Sequence, residues 1–444
     1  MKKNKIFAVL TTSALLLAAC SNGDNSSDSG QKGDSQKNEQ SNSQSDKLKK
    51  NNDKNNNENK VDYPKDGVKG IYVTSNSTQG DKMDELVKFI KDSKLNAMVI
   101  DVKDDEGNIT MKLNTGNKQV DKNTLDIVDG KKLLKKLHDN NIYPIARIVT
   151  FKDTKLANEH PEWSFKNSDG SVWTNGKGDS FINPFMKEVW DYDIDVAKAA
   201  AKAGFQDIQF DYVRFPEGFE NEADSLTYNK GSYKGSKMSS GDQRVDTITK
   251  FLEHANKELK PMGVNVSADV FGYSALVKNA PGIGQSFPKI SENVDAISSM
   301  IYPSHWSNGD FGLDAPDTEP YKTVNRYIQK ENKLLDTLGK KKPISRPWIQ
   351  DFTASYLGDG NYIDYDAKAV SEQVQALKDN GVNEFLLWNA GNEYTEDANY
   401  NPKKGNAKEQ DPEGVEQESK DKDKENKENQ DNQDKESKDN SENK

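Results

Sequence analysis

The sequence contains one cysteine, Cys20, so no disulfide can form within the chain and two-thiol redox chemistry is excluded. Its four histidines, His138, His160, His254 and His305, are scattered, and no pair has the spacing that sets two imidazoles on one metal ion. Neither a metal nor a cofactor is expected. A glycine-rich phosphate cradle is missing, because G-I-G-Q-S-F at 282–287 lacks a third glycine and a preceding strand. There is no G-x-S-x-G elbow to present a serine nucleophile. A basic excess is lacking too: 73 Asp and Glu against 62 Lys and Arg leave a formal charge of −11. With acids and bases mixed, no basic face collects the phosphates of a nucleic acid. Finally, no apolar run is long enough to span a bilayer.

The apolar run at the start follows Lys2, Lys3 and Lys5 and ends in L-A-A at 17–19, the layout of a secretion signal over residues 1–19. The place of Cys20 directly after it resembles the lipobox of bacterial lipoproteins. That resemblance implies lipidation of Cys20 and retention on the extracytoplasmic face of a bacterial cell membrane by acyl chains, with no transmembrane helix in the mature protein. Residues 20–60 are almost all Ser, Asn, Asp, Gln, Lys and Gly, with Leu48 the single large apolar residue. Such a stretch cannot bury enough apolar surface to offset the entropy of ordering, and a flexible tether is expected. Residues 402–444 repeat Lys, Asp, Glu, Asn and Gln without one aromatic residue and read as a charged tail. That leaves 61–401 as one domain with one large core, expected to act as a monomer.

Within 61–401, short apolar strands alternate with helical patterns eight times. Strands are expected at 68–73, 96–102, 142–149, 207–216, 264–270, 295–303, 343–351 and 383–390. Among the helices, one carries Val245, Ile248, Leu252, Ala255 and Leu259 as a single stripe. The last should be N-capped by Asp366 and stopped by Gly381. Eight such units predict an α/β fold, a single (β/α)8 TIM barrel, with a doubly wound open sheet as the alternative.

The stretch D-I-Q-F-D-Y-V-R-F-P at 207–216 alternates Ile208, Phe210 and Tyr212 with Gln209, Asp211 and Val213. In a parallel barrel the second set faces the interior, where a carboxylate is costly unless it has a partner or a task. The next expected strand repeats the pattern, with Asn265, Ser267 and Asp269 on one face. Since barrel enzymes act at the C-terminal ends of their strands, the candidate ring is Asp101, Arg147, Asp211, Arg214, Asp269, Tyr302, His305, Trp306, Gln350, Trp388 and Asn389. Acids, amides and aromatics of this kind suit a sugar, whose hydroxyls need planar donors and acceptors and whose apolar faces stack on rings. Asp211 and Asp269 are the expected catalytic pair, on strands that would lie ~4.8 Å apart. A retaining gap of ~5–5.5 Å and an inverting gap of roughly 6.5–9.5 Å both stay open. Asp211 is read as nucleophile or charge stabiliser, kept ionised by Arg214, and Asp269 as acid/base, with exchange of roles possible. Trp163 and Trp173, in a polar loop, are expected to form an exposed platform.

F-D-Y-V-R-F-P, A-D-V-F-G-Y and M-I-Y-P-S-H-W together resemble a family of bacterial lipoproteins and secreted proteins described as glycosyl hydrolases with a TIM-barrel domain. The resemblance spans about 68–394 and implies the barrel and glycosidase activity. More distantly, the chain is similar to α-amylase-type barrels, which implies a nucleophilic Asp ending the fourth strand. Gln209 stands where that group has Arg, and Asp269 where it has a Glu acid. The expected function is an extracytoplasmic, lipid-anchored glycoside hydrolase acting on a cell-surface or extracellular polysaccharide. The alternative is a carbohydrate-binding lipoprotein that keeps the barrel without catalysis.

Overall fold

In the computed structural model, which describes residues 60–410, all eight expected strands are present. The expected secretion signal, Cys20, and most of the expected tether and charged tail lie outside the described residues. Strands β1 (Lys69–Val73) and β2 (Ala97–Lys103) are followed by two short strands, β3 (Ile109–Met111) and β4 (Thr124–Val128). Then come β5 (Tyr143–Val149), β6 (Asp207–Asp211), β7 (Asn265–Phe271), β8 (Ala296–Met300), β9 (Ile344–Ser345), β10 (Trp348–Gln350) and β11 (Phe385–Trp388). The pairings β1–β2–β5–β6–β7–β8–β10–β11 are all parallel, and β11 returns to β1 with Lys69 opposite Phe385. The ring is closed, an eight-stranded (β/α)8 barrel, which excludes the open doubly wound sheet.

The fourth strand ends at Asp211 rather than Pro216, and two other departures from the expected strands also have local causes. The seventh strand is split into β9 and β10 because Pro347 has no N–H to place in the ladder. Strands β3 and β4 fill a connection that periodicity leaves irregular, since β3 has only three residues and β4 is half exposed. Too few positions remain for an alternation to register.

The helices wrap the ring as the stripes predict. Helix α1 (Gly80–Ser93) buries Met83, Leu86, Val87 and Ile90, and α2 (Lys187–Ala203) ends at Gly204 with φ of 124°. Helix α3 (Ser240–Leu259) buries Val245, Ile248, Leu252, Ala255 and Leu259. In α4 (Ala367–Asp379) the Asp366 carboxylate accepts the backbone N–H groups of Lys368 and Ala369, as an N-cap should. Outward residues such as Ile208 and Phe210 join the large core between strands and helices, while Val99, Tyr143, Ile145, Trp348 and Leu386 form a smaller cluster inside the ring.

The N-terminal end of the barrel is closed by paired charges. Both Nη groups of Arg346 donate to one oxygen of Asp207 at 3.0 Å, and Ser267 Oγ donates to the other at 2.6 Å. Nearby, Tyr63 donates to Glu384 at 2.6 Å. This plug holds the strands together at the end away from the candidate site. Arg346→Met would leave Asp207 buried without its counter-charge, so urea unfolding should show a loss of about 3–5 kcal/mol. A loss under about 1 kcal/mol would refute a stabilising role for the pair.

Candidate active site

The strand alternation that faces Asp207 and Gln209 inward also brings Asp101, Arg147 and Asp211 to the C-terminal rim from three consecutive strands of the ring. Arg147, 1% exposed, joins them. Its Nε and Nη2 donate to Asp211 Oδ2 at 2.9 and 2.7 Å, its Nη1 to Asp101 Oδ1 at 2.7 Å, and its Nη2 also to Asp105 Oδ1 at 3.1 Å. The remaining Asp101 oxygen accepts Tyr72 O–H at 2.5 Å. Burial pushes the Asp101 carboxyl up to about 6 even with these partners. One planar cation thus compensates a cluster of acids that could not otherwise sit together out of water.

Asp211 is the last residue of β6, and the chain then breaks sharply. Tyr212 has φ of 49°, a left-handed conformation that a bulky residue adopts only under constraint from its surroundings. Its N–H donates to Asp211 Oδ1 at 2.6 Å, and its ring turns into the cleft wall instead of continuing the outward series with Ile208 and Phe210. Both oxygens of Asp211 are therefore held, one by Arg147 and one by the main chain.

Above this cluster lies a cleft of about 200 Å³. Asp211, Arg147, Tyr302, His305 and Trp388 border it, all of them expected site residues. Trp388 stacks on Tyr72 with ring centres 4.2 Å apart, meets Trp348 edge-on at 5.6 Å, and lies beneath the Arg147 guanidinium at 5.6 Å. Aromatic faces and a charged floor meet in one concavity, the combination that grips a sugar ring.

Asp269 occupies the place beside Asp211 on the next strand, since Phe210 pairs with Ala268. It is 2% exposed and does not border the cleft; its Oδ1 accepts Trp348 Nε1–H at 2.9 Å. Burial first, and then the negative charge of Asp211, hold its carboxyl well above the usual carboxylate range.

The family described as "Putative glycosyl hydrolase domain" matches residues 70–394. The chain belongs to this glycosyl hydrolase domain family. Among solved structures, it is similar to a hypothetical protein from Ruminiclostridium thermocellum, at 33% identity over 45% of this chain and 97% of that one, with a TM-score of 0.39. It is also similar to the PgaB (BpsB) glycoside hydrolase domain from Bordetella bronchiseptica, at 12% identity over 73% of this chain and 94% of that one, with a TM-score of 0.48. A maltogenic α-amylase, AmyB from Thermotoga neapolitana, aligns at 13% identity over 76% and 68%, with a TM-score of 0.44. No curated protein matches the chain. The barrel rests on its own strand pairing rather than on these likenesses.

In this glycosyl hydrolase domain several expected site residues have other tasks. Arg214 borders the cleft as expected but does not bond Asp211: its guanidinium donates to Glu217 at 3.1 Å and to the Phe215 carbonyl at 3.2 Å, and lies over the Phe271 ring at 4.5 Å. It follows the turn at Tyr212, whereas Arg147 projects from the neighbouring strand, so Arg147 is the partner of Asp211. Gln350 is fully buried and binds the Ser304 N–H, Asp317 and the Phe352 carbonyl, ordering the loops behind the cleft. Asn389 bridges the Asp351 carbonyl and the Gly391 N–H. Trp306 packs edge-on against Phe311 at 4.8 Å and does not border the cleft. Trp173 is buried with its indole N–H on Glu222, and Trp163 stacks on His160 at 4.0 Å, so the expected exposed platform is not formed.

Other cleft residues escaped sequence reasoning. Trp348 could have been found, because it shares the inward face of the seventh strand with Arg346 and Gln350. Asp105 and Glu217 lie in loops where no periodicity points inward. Among the described residues no group of three or more His, Cys, Asp and Glu side chains could hold a metal ion.

Asp351, at the end of β10, binds Thr395 Oγ1 at 2.6 Å and stands outside the cleft, and burial pushes it up to about 6. Its folded state therefore favours the neutral carboxyl, relative to ~3.9 when unfolded. This group's contribution to stability is present near pH 4 and is lost as pH rises through about 6. Unfolding free energy measured from pH 4 to 7 should fall less steeply in Asp351→Asn, by up to about 3 kcal/mol. Identical slopes would show that folding does not raise this carboxyl.

Proposed function

We propose that the protein is a lipid-anchored, extracytoplasmic glycoside hydrolase that cleaves a surface or extracellular polysaccharide with Asp211 and Asp269. The observation that carries the reading is the opposite treatment of the two neighbouring acids: Asp211 is ion-paired to Arg147, while Asp269 is held above the usual range by burial and by Asp211. Glycosidic hydrolysis requires that asymmetry, one carboxylate to attack or stabilise the sugar cation and one carboxylic acid to donate a proton to the leaving oxygen. The hydroxyls of the bound ring would find Asp105, His305 and Tyr302 along the cleft, and its apolar face would find Trp388. Family membership supports the same activity. Cys20 would carry the lipid that holds the enzyme outside the cell, with a Ser- and Asn-rich tether leading to the barrel.

One observation favours a second assignment of the acid. Glu217 borders the cleft and its side chain is 68% exposed, whereas Asp269 does not border it. The two assignments differ in their mutants. On a panel of bacterial surface glycans, wild type should release reducing ends, Asp211→Asn should lose nearly all activity, and Asp269→Asn should lose about 10²–10⁴-fold in kcat. A comparable loss in Glu217→Gln alone would move the acid to Glu217. Full activity in Asp211→Asn would sink the two-carboxylate reading, and binding without cleavage by wild type would favour the carbohydrate-binding alternative.

The pH profile has a defined sign. Because Asp269 must carry its proton, kcat/KM should fall on the alkaline side as pH rises through its raised value. Replacing Cys20 by Ser should shift the protein from the membrane fraction to the soluble extracellular fraction, and unchanged membrane retention would remove the lipid anchor.

A further inference from the structure

The cleft does not end at Glu217. The same side chain borders a second groove of about 470 Å³, walled by Tyr273, Arg244 and Glu220. A pair of rings links the two depressions: Phe271, in the cleft, lies nearly parallel to Tyr273, in the groove, with centres 5.8 Å apart and planes 26° apart. Tyr273 is 40% exposed and Val277 beside it 41%, so an aromatic face and an aliphatic edge are open to a ligand.

Arg244 supplies the polar half. It is only 5% exposed, and its Nε donates to the Pro281 carbonyl at 2.7 Å. Its two Nη groups have no hydrogen-bond or ion-pair partner among the described residues, and the side chain borders the groove. Neither Nη atom is enclosed, so solvent reaches these donors, and a ligand oxygen in the groove can replace water as their acceptor. Bare backbone forms part of the groove. An added Cβ at Gly282 would stand 2.4 Å from Glu220 Oε1, and one at Gly241 would stand 2.8 Å from Pro281 Cβ. Side chains at these positions would displace those neighbours and reshape the groove.

We propose that this groove is a second carbohydrate subsite, which binds a further stretch of the same sugar chain whose reacting unit occupies the cleft. The proposal rests on the cleft being the carbohydrate site. Tyr273 would take the apolar face of a sugar ring, the Arg244 Nη groups would donate to its oxygens, and the Glu217 and Glu220 carboxylates would accept its hydroxyls. These two acids on the groove oppose an anionic ligand and favour a neutral hydroxyl-rich one. The substrate is then a polymer rather than a disaccharide.

The test uses the full chain with Asp211→Asn, so that ligands are not consumed, on a glycan array carrying cello-, chito-, malto- and xylo-oligosaccharides of increasing length. Affinity should rise with length, and Tyr273→Ala should remove about tenfold of that rise. Tyr273→Phe, which keeps the ring, should retain it. Arg244→Gln should weaken long ligands more than short ones, and circular dichroism would verify that each variant is folded. Length-independent binding, a length dependence untouched by Tyr273→Ala, or no binding of any ladder overturns the subsite. Wild type on the same ladders separates the two claims. Length-dependent binding without release of reducing ends removes the hydrolase but keeps the groove, whereas cleavage with length-blind binding removes the groove alone.

Discussion

The site depends on one buried cation. Arg147 reaches Asp211 through two nitrogens, Asp101 through a third contact and Asp105 through a fourth, all at 3.1 Å or less. Without it, two nearly buried acids, Asp101 and Asp211, and the half-exposed Asp105 would converge without a counter-charge, and repulsion between the buried pair would be strong. With it, the Asp211 carboxyl is ion-paired and fixed in direction at the edge of an aromatic cleft. The Tyr212 N–H completes the arrangement, at the cost of a left-handed backbone in a bulky residue. Strain held in place by a rigid strand on one side and a packed loop on the other is a property expected where geometry serves binding or chemistry.

Asp269 shows how position alone separates two identical side chains. Both acids end inward-facing runs on adjacent strands, yet Asp211 meets a guanidinium and Asp269 meets an indole N–H. A neutral donor does much less to offset desolvation than a full charge does. The carboxyl that lacks a counter-ion is therefore the one pushed toward its protonated form, and the neighbouring anion adds to that push. At the opposite end of the barrel Arg346 is matched to Asp207, while Glu384 meets the neutral Tyr63 O–H and is pushed up by burial; there the charges serve closure.

Aromatic residues connect the site to its surroundings. Trp388 and Trp348 line one side edge-on, with Tyr72 stacked on Trp388, while Phe271 and Tyr273 carry the surface out past Glu217. The first group is fixed by strands and the second follows the end of β7, so the cleft is rigid on the first side and its continuation is set by loops. Such a division is common where a barrel supplies chemistry and its loops supply selectivity.

Alternation and stripe spacing are local properties, and they were sufficient by themselves to determine the eight strands, the helix faces, the Asp366 cap and the inward phase of Asp211 and Asp269. Eight repeated units predicted the barrel but left the open sheet as an alternative, and the pairing of β11 with β1 decided for closure. What the tertiary structure decided was which charge meets which. Arg214 is three residues from Asp211 and looked like its partner, yet the turn at Tyr212 sends it to Glu217, while Arg147 arrives from 64 positions away in the chain. The same holds for Trp306, Gln350 and Asn389, which end strands as site residues would but bind loops or core instead. Pairing across strands depends on register and side-chain reach, and neither is encoded in the spacing of residues along one segment.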